Sequence, residues 1–360
     1  YLSLEDDDEA DQIVKDLIDP KKGWTRVFKS KAECKAYLQG EEPIPSQMGL
    51  VVKDVTDDTG EVVSQKKRLI LDAKRSLVNS SSAPQQRTIM PGSMDAVDDA
   101  IYMRRMAKRL GLTVDDIEQV VADYSDAFFI VPLEFQERRF QCARWKNLWI
   151  VFLRTGQGLM NSSLTFCHVS ALTARCTQSL FMPWELLLQL FTDDPHLTVL
   201  GKELERNILI TIAISTWIVL GFDIAFHKAK RGRALTWIGT SIQLTKEAVV
   251  LTINEDLWRE LLRMTQEFLK LNVIPLKVFR RYTGKCNFVA TVIPMWRPFL
   301  SDCWAAIAKH TAPIRGARVR HVATAISKRR DKKGSTRKVK QLLGVIWTRQ
   351  VRHSLAWIAA

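Results

Sequence analysis

Two neighbouring acids separate two strand-like runs in the middle of the chain. Residues 187–191 (LLQLF) lead into residues 192–195 (TDDP), and residues 198–200 (TVL) follow. This order predicts two strands joined by a turn that carries Asp193 and Asp194. Adjacent like charges repel each other unless water solvates them or a cation neutralises them, and a divalent cation is the natural neutraliser. A plain solvated turn is the alternative.

A third acid, Asp123, opens the segment DYSDAFFIVPL. Residues 127–133 of this segment have the composition of a strand closed by Pro132. If the two strands lie side by side, Asp123 meets Asp193 and Asp194 at one edge of the sheet. Three carboxylates there can hold two Mg²⁺ ions about 3.5–4 Å apart, the arrangement that stabilises both oxygens of a phosphoryl transfer. We expect Mg²⁺, with Mn²⁺ as the alternative.

One apolar segment raises the question of a membrane. Residues 207–222 (NILITIAISTWIVLGF) are sixteen uncharged residues between Arg206 and Asp223. A membrane span needs about 18–20 such residues, and no second span accompanies this one. We therefore predict a buried helix over residues 203–220 and no membrane partner.

The charge of the chain is high and unevenly distributed. Lys and Arg number 53 against 39 Asp and Glu, a formal net charge of +14. Residues 1–20 carry eight acids and one base, whereas residues 313–352 carry thirteen bases and one acid. The excess of base predicts a polyanionic partner, such as nucleic acid or an anionic membrane surface, bound most strongly by the C-terminal tail. The acidic leader is expected to be solvated and loosely held.

Composition, length and the order of segments indicate an ordinary globular protein of more than one unit. With 46% hydrophobic and 26% charged residues, the chain is neither disordered nor collagen-like. Its 360 residues are enough for two or three packed units. Strand-like and helix-like segments are mixed, helical spacing runs over residues 95–122, and residues 255–271 and 276–307 are helical again. This order predicts an α+β architecture with a helical C-terminal part.

The cysteines and histidines do not predict a metal site. The six cysteines are scattered without a C-x-x-C pair, and the six histidines are equally dispersed. This pattern is typical of reduced, buried thiols in an intracellular protein.

Six short motifs follow one another along the chain. They are residues 67–72 (KRLILD) with Asn79, residues 123–129 (DYSDAFF) with VPL at 131–133, Gln157-Gly158 with Ser162 and Phe166, residues 191–194 (FTDD), Gly221 with Lys228, and residues 237–239 (WIG). In this order they resemble the motifs of the reverse transcriptases of retroviruses and retrotransposons. Residues 282–300 resemble a downstream segment of retrotransposon polymerases. Ser163, Thr192 and Pro195 depart from the family pattern, which puts fidelity and speed in doubt more than activity. The resemblance covers about two-thirds of the chain.

The resemblance implies a right-hand polymerase fold, with fingers, a palm built on an antiparallel sheet and a helical thumb. Residues 1–45 would then be an acidic leader, residues 46–244 the fingers and palm, and residues 245–312 the thumb. Residues 313–360 would be a basic connection. This connection would grip the template–primer backbone, or else be a solvated tail or nuclear-import signal.

The resemblance also implies a role for each motif residue. The two metal ions would be held by the carboxylates of Asp123, Asp193 and Asp194 and by the backbone carbonyl of Tyr124. The incoming nucleotide would be bound by Lys66, Lys67, Arg68, Asp126, Ala127, Phe128, Gln157 and Gly158. Among these, Arg68 with a neighbouring lysine would contact the triphosphate, and Phe128 would exclude a ribose 2′-OH unless it is an ordinary core aromatic.

Two further roles have simpler alternatives. Lys228 would protonate the leaving pyrophosphate, although a solvated lysine would leave the same sequence pattern. Trp237 and Gly239 would position the primer end, with plain hairpin packing as the alternative.

The expected function is that of an RNA-directed DNA polymerase of a retroelement. Its partners would be an RNA or DNA template with a primer, and deoxynucleoside triphosphates. We expect a piece of a longer Pol-type polyprotein, linked to domains such as ribonuclease H and located in the nucleus or the cytoplasm. The alternative is a catalytically decayed or truncated relative that still binds nucleic acid. A two-metal nuclease would not explain Gln157, Gly158 or Trp237.

Overall fold

The structure is a computed structural model that describes residues 2–56, 62–82, 88–311, 326–330, 336–340 and 344–360. The chain divides into two compact units. The first unit contains Tyr1–Pro91 and Asp99–Leu235, and the second contains Gly92–Asp98 and Thr236–Ala360. Neither unit is one continuous stretch of sequence.

Strands occur throughout the described residues. They are β1 (Leu2–Ser3), β2 (Thr25–Phe28), β3 (Pro45–Ser46), β4 (Met48–Thr56), β5 (Val62–Leu71), β6 (Ile117–Val121), β7 (Cys142–Trp145), β8 (Leu148–Phe152), β9 (Leu186–Phe191), β10 (Asp194–Leu200), β11 (Lys230–Gly232), β12 (Ala234–Trp237), β13 (Thr240–Leu244), β14 (Val249–Ile253), β15 (Val273–Pro275), β16 (Ile326–Arg330), β17 (Thr336–Lys340) and β18 (Val345–Trp347).

Helices alternate irregularly with these strands. They are α1 (Ala10–Leu17), α2 (Lys31–Tyr37), α3 (Val78–Ser81), α4 (Ser93–Arg109), α5 (Ser162–Gln178), α6 (Glu203–Val219), α7 (Glu255–Lys270), α8 (Leu276–Val289), α9 (Arg297–Thr311) and α10 (Arg352–Ala359). The predicted α+β architecture is therefore confirmed.

The central sheet of the first unit has the order β11-β6-β10-β9, with every neighbouring pair antiparallel. Leu197 of β10 lies opposite Val120 of β6 on one side and Leu188 of β9 on the other. Alternate residues of a strand share a face, so Leu197 and Val199 lie on the same face as each other. That face forms one hydrophobic core with Phe166 of α5 and with Ile210, Ala213 and Trp217 of α6.

Helix α6 is only half-buried. Trp217 is fully buried and donates its indole N–H to the hydroxyl of Thr177 in α5 at 3.0 Å. The opposite side of the helix exposes Leu204, Ile208 and Ile212, with exposed fractions of 71%, 51% and 41%. The predicted helix is confirmed, but its predicted burial is wrong for this side. No helix among the described residues is long and apolar enough to cross a membrane.

The helical pattern over residues 95–122 belongs to a helix and then a strand. Helix α4 ends at Arg109, and Gly111 follows with a φ of +70°. Thr113 then caps a short 3₁₀ turn, because its hydroxyl accepts from the Asp115 N–H at 3.3 Å. In return, the Thr113 N–H donates to the Asp116 carboxylate at 2.9 Å. The chain leaves this turn as β6, so the prediction of a continuous helix to Ala122 is wrong.

The segment after Asp123 is also different from its prediction. Residues 127–133 were expected to form a strand, but Ala127–Ile130 is a 3₁₀ helix. Asp126 precedes it with a φ of +48°, a left-handed backbone conformation that turns the chain out of an extended path. The strand that pairs beside the acid turn is β6, which ends just before Asp123.

The acidic leader is packed, which contradicts the prediction of a loosely held segment. Strand β1 pairs with β4, and Leu4, Val14 and Leu17 are buried in a core shared with Leu50 and Phe152. These apolar side chains provide the burial, while most acids of the segment face solvent. A high charge count therefore hid an amphipathic segment.

The remaining strands of the first unit form two small sheets. Their orders are β1-β4-β5 and β2-β8-β7-β3. Helix α2 lies against the second sheet, where Cys34 and Cys142 are buried together with Val151. Five of the six cysteines are buried, as predicted, whereas Cys176 is exposed.

The second unit is mainly helical. Helices α7, α8, α9 and α10 share one core that includes Phe268, Phe279, Leu300 and Leu355. Residues 276–307 were predicted to be helical throughout, but a 3₁₀ turn at Pro294–Trp296 separates α8 from α9. Proline lacks the N–H that a continuous helix needs.

Three small sheets complete the second unit among the described residues. One has the order β12-β13-β14, the second pairs β15 with β18, and the third is a two-stranded ribbon. Strand β16 pairs with β17. Residues 313–325, 331–335 and 341–343 of the basic tail lie outside the described residues, and the predicted contact of these residues with nucleic acid lies outside them too.

A buried histidine in the central sheet makes stability depend on pH. His196 of β10 is buried, its Nε2 lies 3.1 Å from the Gln119 side-chain oxygen, and burial lowers the pKa of His196 to about 4. The unfolded chain would bind this proton near pH 6.5. The contribution of His196 to the free energy of unfolding should therefore be fully present above about pH 6.5 and be lost as the pH falls toward 4.

When the pH falls from 7.5 to 5, the free energy of unfolding of the parent should decrease. For His196→Gln we expect this decrease to be smaller by about 2 kcal/mol. Urea unfolding at the two pH values measures this. Because other groups titrate in the same range, the informative quantity is the difference between variant and parent. An identical pH dependence for both proteins would contradict the assignment to His196.

Candidate functional site

The turn between β9 and β10 carries the acid pair. Thr192 takes a left-handed φ of +56°, and Asp194 is the first residue of β10, opposite Phe191. This confirms the predicted strand–turn–strand. The turn is tied to the neighbouring segment, because the Tyr124 N–H donates to the Asp193 carbonyl at 3.0 Å.

Asp123 lies on that neighbouring segment, two residues after β6 ends. Its carbonyl accepts a hydrogen bond from the Ala225 N–H at 2.9 Å, and Tyr124 bridges to Ile224. The ring of Tyr124 is buried against Trp217 and Phe222. The backbone at Asp123 and Tyr124 is therefore bonded to the acid turn on one side and to residues 224–225 on the other, which holds Asp123 beside Asp193.

The acids influence one another's charge. Burial, and secondarily the nearby Asp123 charge, raises the pKa of Asp193. Burial, followed by the charges of Asp193 and Asp123, raises the pKa of Asp194 to about 6. The ammonium of Lys228 donates to the Asp123 carboxylate and partly offsets this repulsion.

Strand β5 contributes cations to the same place. Lys66 and Arg68 are two residues apart and so lie on one face of the strand. Burial, followed by the charges of Lys228 and Arg68, lowers the pKa of Lys66, and Asp123 partly restores it. Lys67 lies on the other face, and its ammonium is paired with Asp7 and Glu9.

One cleft of about 320 Å³ in the first unit is lined by most of these groups, but not by Asp194. Of the residues predicted for the site, the cleft is lined by Lys66, Lys67, Arg68, Asp123, Tyr124, Asp126, Ala127, Phe128, Gln157, Asp193 and Lys228. The leader supplies a wall that the motifs did not predict, with Ile13, Asp16 and Leu17. The spacing of Ile13 and Leu17, one helical turn apart, was a signal that these positions would pack inward.

Phe128 lies within the 3₁₀ helix after Asp123. Its ring is half-buried and packs against Phe166, with ring centroids 5.7 Å apart. The preceding Ala127 is buried in the same core, which anchors the short helix there. Phe128 is thus both a packed aromatic and a residue of the cleft wall.

Gln157 and Gly158 are joined to the end of β5. The Leu71 N–H donates to the Gln157 carbonyl at 2.8 Å, and the Asn79 amide donates to the Gly158 carbonyl at 3.0 Å. Gly158 has a φ of +106°, and a Cβ atom there would collide with the Leu71 backbone. The glycine is required because two backbone segments approach each other closely.

Trp237 and Gly239 belong to the second unit. Trp237 is buried, with 1% of its surface exposed. The residues between β12 and β13 are Ile238, with a φ of +43°, and Gly239, with a φ of +84°. A Cβ at Gly239 would lie 3.1 Å from the Phe288 ring. Strands β12 and β13 are therefore joined by a tight hairpin.

The chemistry of the acids suits a hard divalent cation, but their side chains are not gathered around one point. Carboxylate oxygens are the ligands that Mg²⁺ prefers, and burial, followed by repulsion from Asp193 and Asp123, raises the pKa of Asp194. In the part of the chain that the structure describes, no three His, Cys, Asp or Glu side chains form a group that could hold a metal ion. The ammonium of Lys228 is bonded to Asp123 instead.

No family model and no curated protein sequence matches the chain. Solved structures do match. A foamy viral protease–reverse transcriptase in complex with double-stranded DNA aligns with a TM-score of 0.51 at 14% identity, over 100% of this chain and 49% of that chain. The same kind of protein in complex with an RNA/DNA hybrid aligns with a TM-score of 0.51 at 14% identity, over 99% and 37%.

This chain shares the fold of viral reverse transcriptases. The predicted α+β polymerase fold is thereby confirmed. The chain spans half or less of the length of these two solved chains.

The close approach at Gly158 has a measurable cost. We expect Gly158→Ala to lower the free energy of unfolding by about 3 kcal/mol, because it adds a collision to an unfavourable backbone conformation. Gly111→Ala is the matched control, since Gly111 has a φ of +70° and open space around it. That variant should cost about 1 kcal/mol. Urea unfolding compares them, and equal losses would rule out the collision.

Proposed function

We propose that this chain is an RNA-directed DNA polymerase that adds deoxynucleotides to a primer 3′-OH. One observation carries the proposal: a single cleft brings together Asp123 and Asp193 with three cations, Lys66, Arg68 and Lys228. Acids beside cations suit a reaction in which a triphosphate is held while its α-phosphate is attacked. The fold shared with viral reverse transcriptases supports the same reaction.

Asp123, Asp193 and Asp194 would hold two Mg²⁺ ions, or Mn²⁺ ions, with the backbone carbonyl of Tyr124 as a further ligand. When bound, the ions supply charge neutralisation and make the primer 3′-OH easier to deprotonate. The sheet positions these acids through the hydrogen bond from Tyr124 to Asp193. Asp123 must exchange its bond to Lys228 for such a role.

The cations of β5 would bind the triphosphate. The guanidinium of Arg68 can make two parallel hydrogen bonds to phosphate oxygens, and Lys66 adds a second charge beside it. The backbone of Asp126 and Ala127 would lie near the same phosphates. Lys67 is also a cleft residue, but its ammonium is already paired with Asp7.

Lys228 would donate a proton to the leaving pyrophosphate. Its ammonium is already within the cleft, bonded to Asp123, so a short movement would bring it to the phosphates. Gln157 and Gly158 would line the nucleotide and template side. Because Trp237 is buried, the hairpin of Ile238 and Gly239 would position the primer through its backbone.

The wider setting is part of the same proposal. The partners would be an RNA or DNA template with its primer and deoxynucleoside triphosphates, which agrees with the net charge of +14. The two solved structures hold double-stranded DNA and an RNA/DNA hybrid. We place the chain in an intracellular, retrotransposon-type Pol polyprotein, with ribonuclease H among its linked domains. Residues 46–244 would be fingers and palm, and residues 245–312 the thumb.

Primer extension tests the polymerase and its acids together. With an RNA template, deoxynucleotides and Mg²⁺, the parent should extend the primer, and Asp193→Asn should be slower by about a hundredfold or more. Asp115→Asn is the control, because this exposed acid pairs with Arg233 away from the cleft lining. It should extend like the parent.

Two results would contradict the proposal in different ways. Equal extension by the parent and Asp193→Asn would remove the acids from the reaction. Template–primer binding without extension by either protein would favour the alternative, a decayed or truncated nucleic-acid-binding relative.

Phe128 should discriminate between sugars. We expect Phe128→Val to raise incorporation of ribonucleotides relative to deoxynucleotides by about tenfold or more, because a smaller side chain leaves room for the 2′-OH. Single-nucleotide extension with each substrate measures the ratio. Phe129→Leu is the control on the same 3₁₀ helix, since its ring stacks on Trp24. An unchanged ratio in Phe128→Val would reduce Phe128 to a packing residue.

A further inference from the structure

The acidic leader has no role in the reaction described so far, yet it lies against strand β5. Strand β1 pairs with β4, which in turn pairs with β5 along its length. Leu4, Val14 and Leu17 anchor the leader in the core that contains Leu71 of β5. Residues of α1 also line the cleft. The leader thus packs against the strands that carry part of the candidate site.

Strand β5 presents two different rows of side chains. Lys67 shares its face with Leu69 and Leu71, which pack in the same core as the leader. Lys66 and Arg68 lie on the other face, toward the charges of Asp123 and Lys228. A change in the position of Lys67 therefore moves the backbone from which both neighbouring cations project.

The leader holds Lys67 with two carboxylates. The Lys67 ammonium lies 2.8 Å from the Asp7 carboxylate and 3.1 Å from that of Glu9. The Asp7 side chain is 8% exposed and that of Lys67 is 19% exposed, so water screens this pair weakly. Another ion pair of the leader, between Asp11 of α1 and Lys146, is exposed on both sides.

We propose that Lys67 is a positioning residue, and that its ion pair with Asp7 fixes β5 so that Lys66 and Arg68 are set to receive the triphosphate. This inference rests on the proposed function. The leader also removes one positive charge from a crowded strand, where Lys66, Lys67 and Arg68 follow one another. Without Asp7, repulsion among the three cations would spread them apart.

A direct role for Lys67 in binding phosphate predicts the opposite result for one variant. If Lys67 contacted the triphosphate, Asp7→Asn would release its ammonium and tighten nucleotide binding. If Lys67 positions β5, Asp7→Asn would weaken binding, as Lys67→Gln would. Asparagine keeps the acceptor for the Glu9 N–H, which now bonds to Asp7 at 3.0 Å, so only the charge changes.

The experiment uses the full chain with a template–primer that ends in a dideoxynucleotide, so that nucleotide binds without reacting. The variants are Asp7→Asn, Lys67→Gln and Lys67→Arg, with Asp11→Asn as the matched leader control. Affinity for the next deoxynucleotide is titrated, and KM and kcat are measured with an extendable primer. Hydrogen exchange of the β5 amides, measured without any ligand, reports how often the strand opens and so how firmly it is held.

We expect Asp7→Asn and Lys67→Gln to weaken nucleotide binding and raise KM by about fivefold, with kcat within about twofold. Lys67→Arg and Asp11→Asn should behave like the parent. The β5 amides should exchange faster only in the first two variants. Tighter binding by Asp7→Asn, or unchanged binding and exchange in both variants, would overturn the proposal.

Failure of the proposed function would look different. In that case the parent itself would bind no nucleotide and extend no primer. The exchange measurement would still decide whether the leader fixes β5: unchanged β5 exchange in Asp7→Asn and Lys67→Gln would overturn the ion pair's role, and faster exchange limited to those variants would support it.

Discussion

The antiparallel pairing of β6 with β10 decides where the acids of the candidate site lie. His196 is opposite Val121, so the chain beyond β6 and the turn before β10 leave the sheet at the same edge. The hydrogen bond from Tyr124 to the Asp193 carbonyl extends this pairing past the strands. A slip of one residue would turn every side chain of β10 to the opposite face and put His196 in place of Leu197 in the hydrophobic core. The hydrophobic core therefore fixes the register, and the register fixes the acids.

The convergence of Asp123 with Asp193 could be predicted from the sequence, although the strand that pairs with β10 precedes Asp123 and does not follow it. The residues after Asp123 have strand composition, but the left-handed backbone of Asp126 starts a 3₁₀ helix there. Local propensity does not reveal that single backbone conformation. The acids meet because apolar β6 precedes Asp123, and its pattern had been attributed to the preceding helix.

The leader and Lys67 show why charge alone is a poor guide to position. Eight acids in twenty residues indicate a solvated segment, yet the few apolar side chains between them bury the segment against β4 and β5. Lys67 belongs by motif with its two cationic neighbours, but strand geometry places it on the other face. Pairing between distant segments, such as Asp7 with Lys67, depends on the whole fold and cannot be predicted from local sequence.

The discontinuity of the two units has a consequence for synthesis on the ribosome. The chain contributes Gly92–Asp98 to the second unit and then returns to the first. The Ser93 hydroxyl is bonded to that of Thr240, which emerges almost 150 residues later. Strand β6 likewise waits for β11 before its sheet is complete. The first unit therefore cannot close before Leu235 has been made, and Gly92–Asp98 must wait still longer for the rest of the second unit, so a nascent chain has unfinished sheet edges until then.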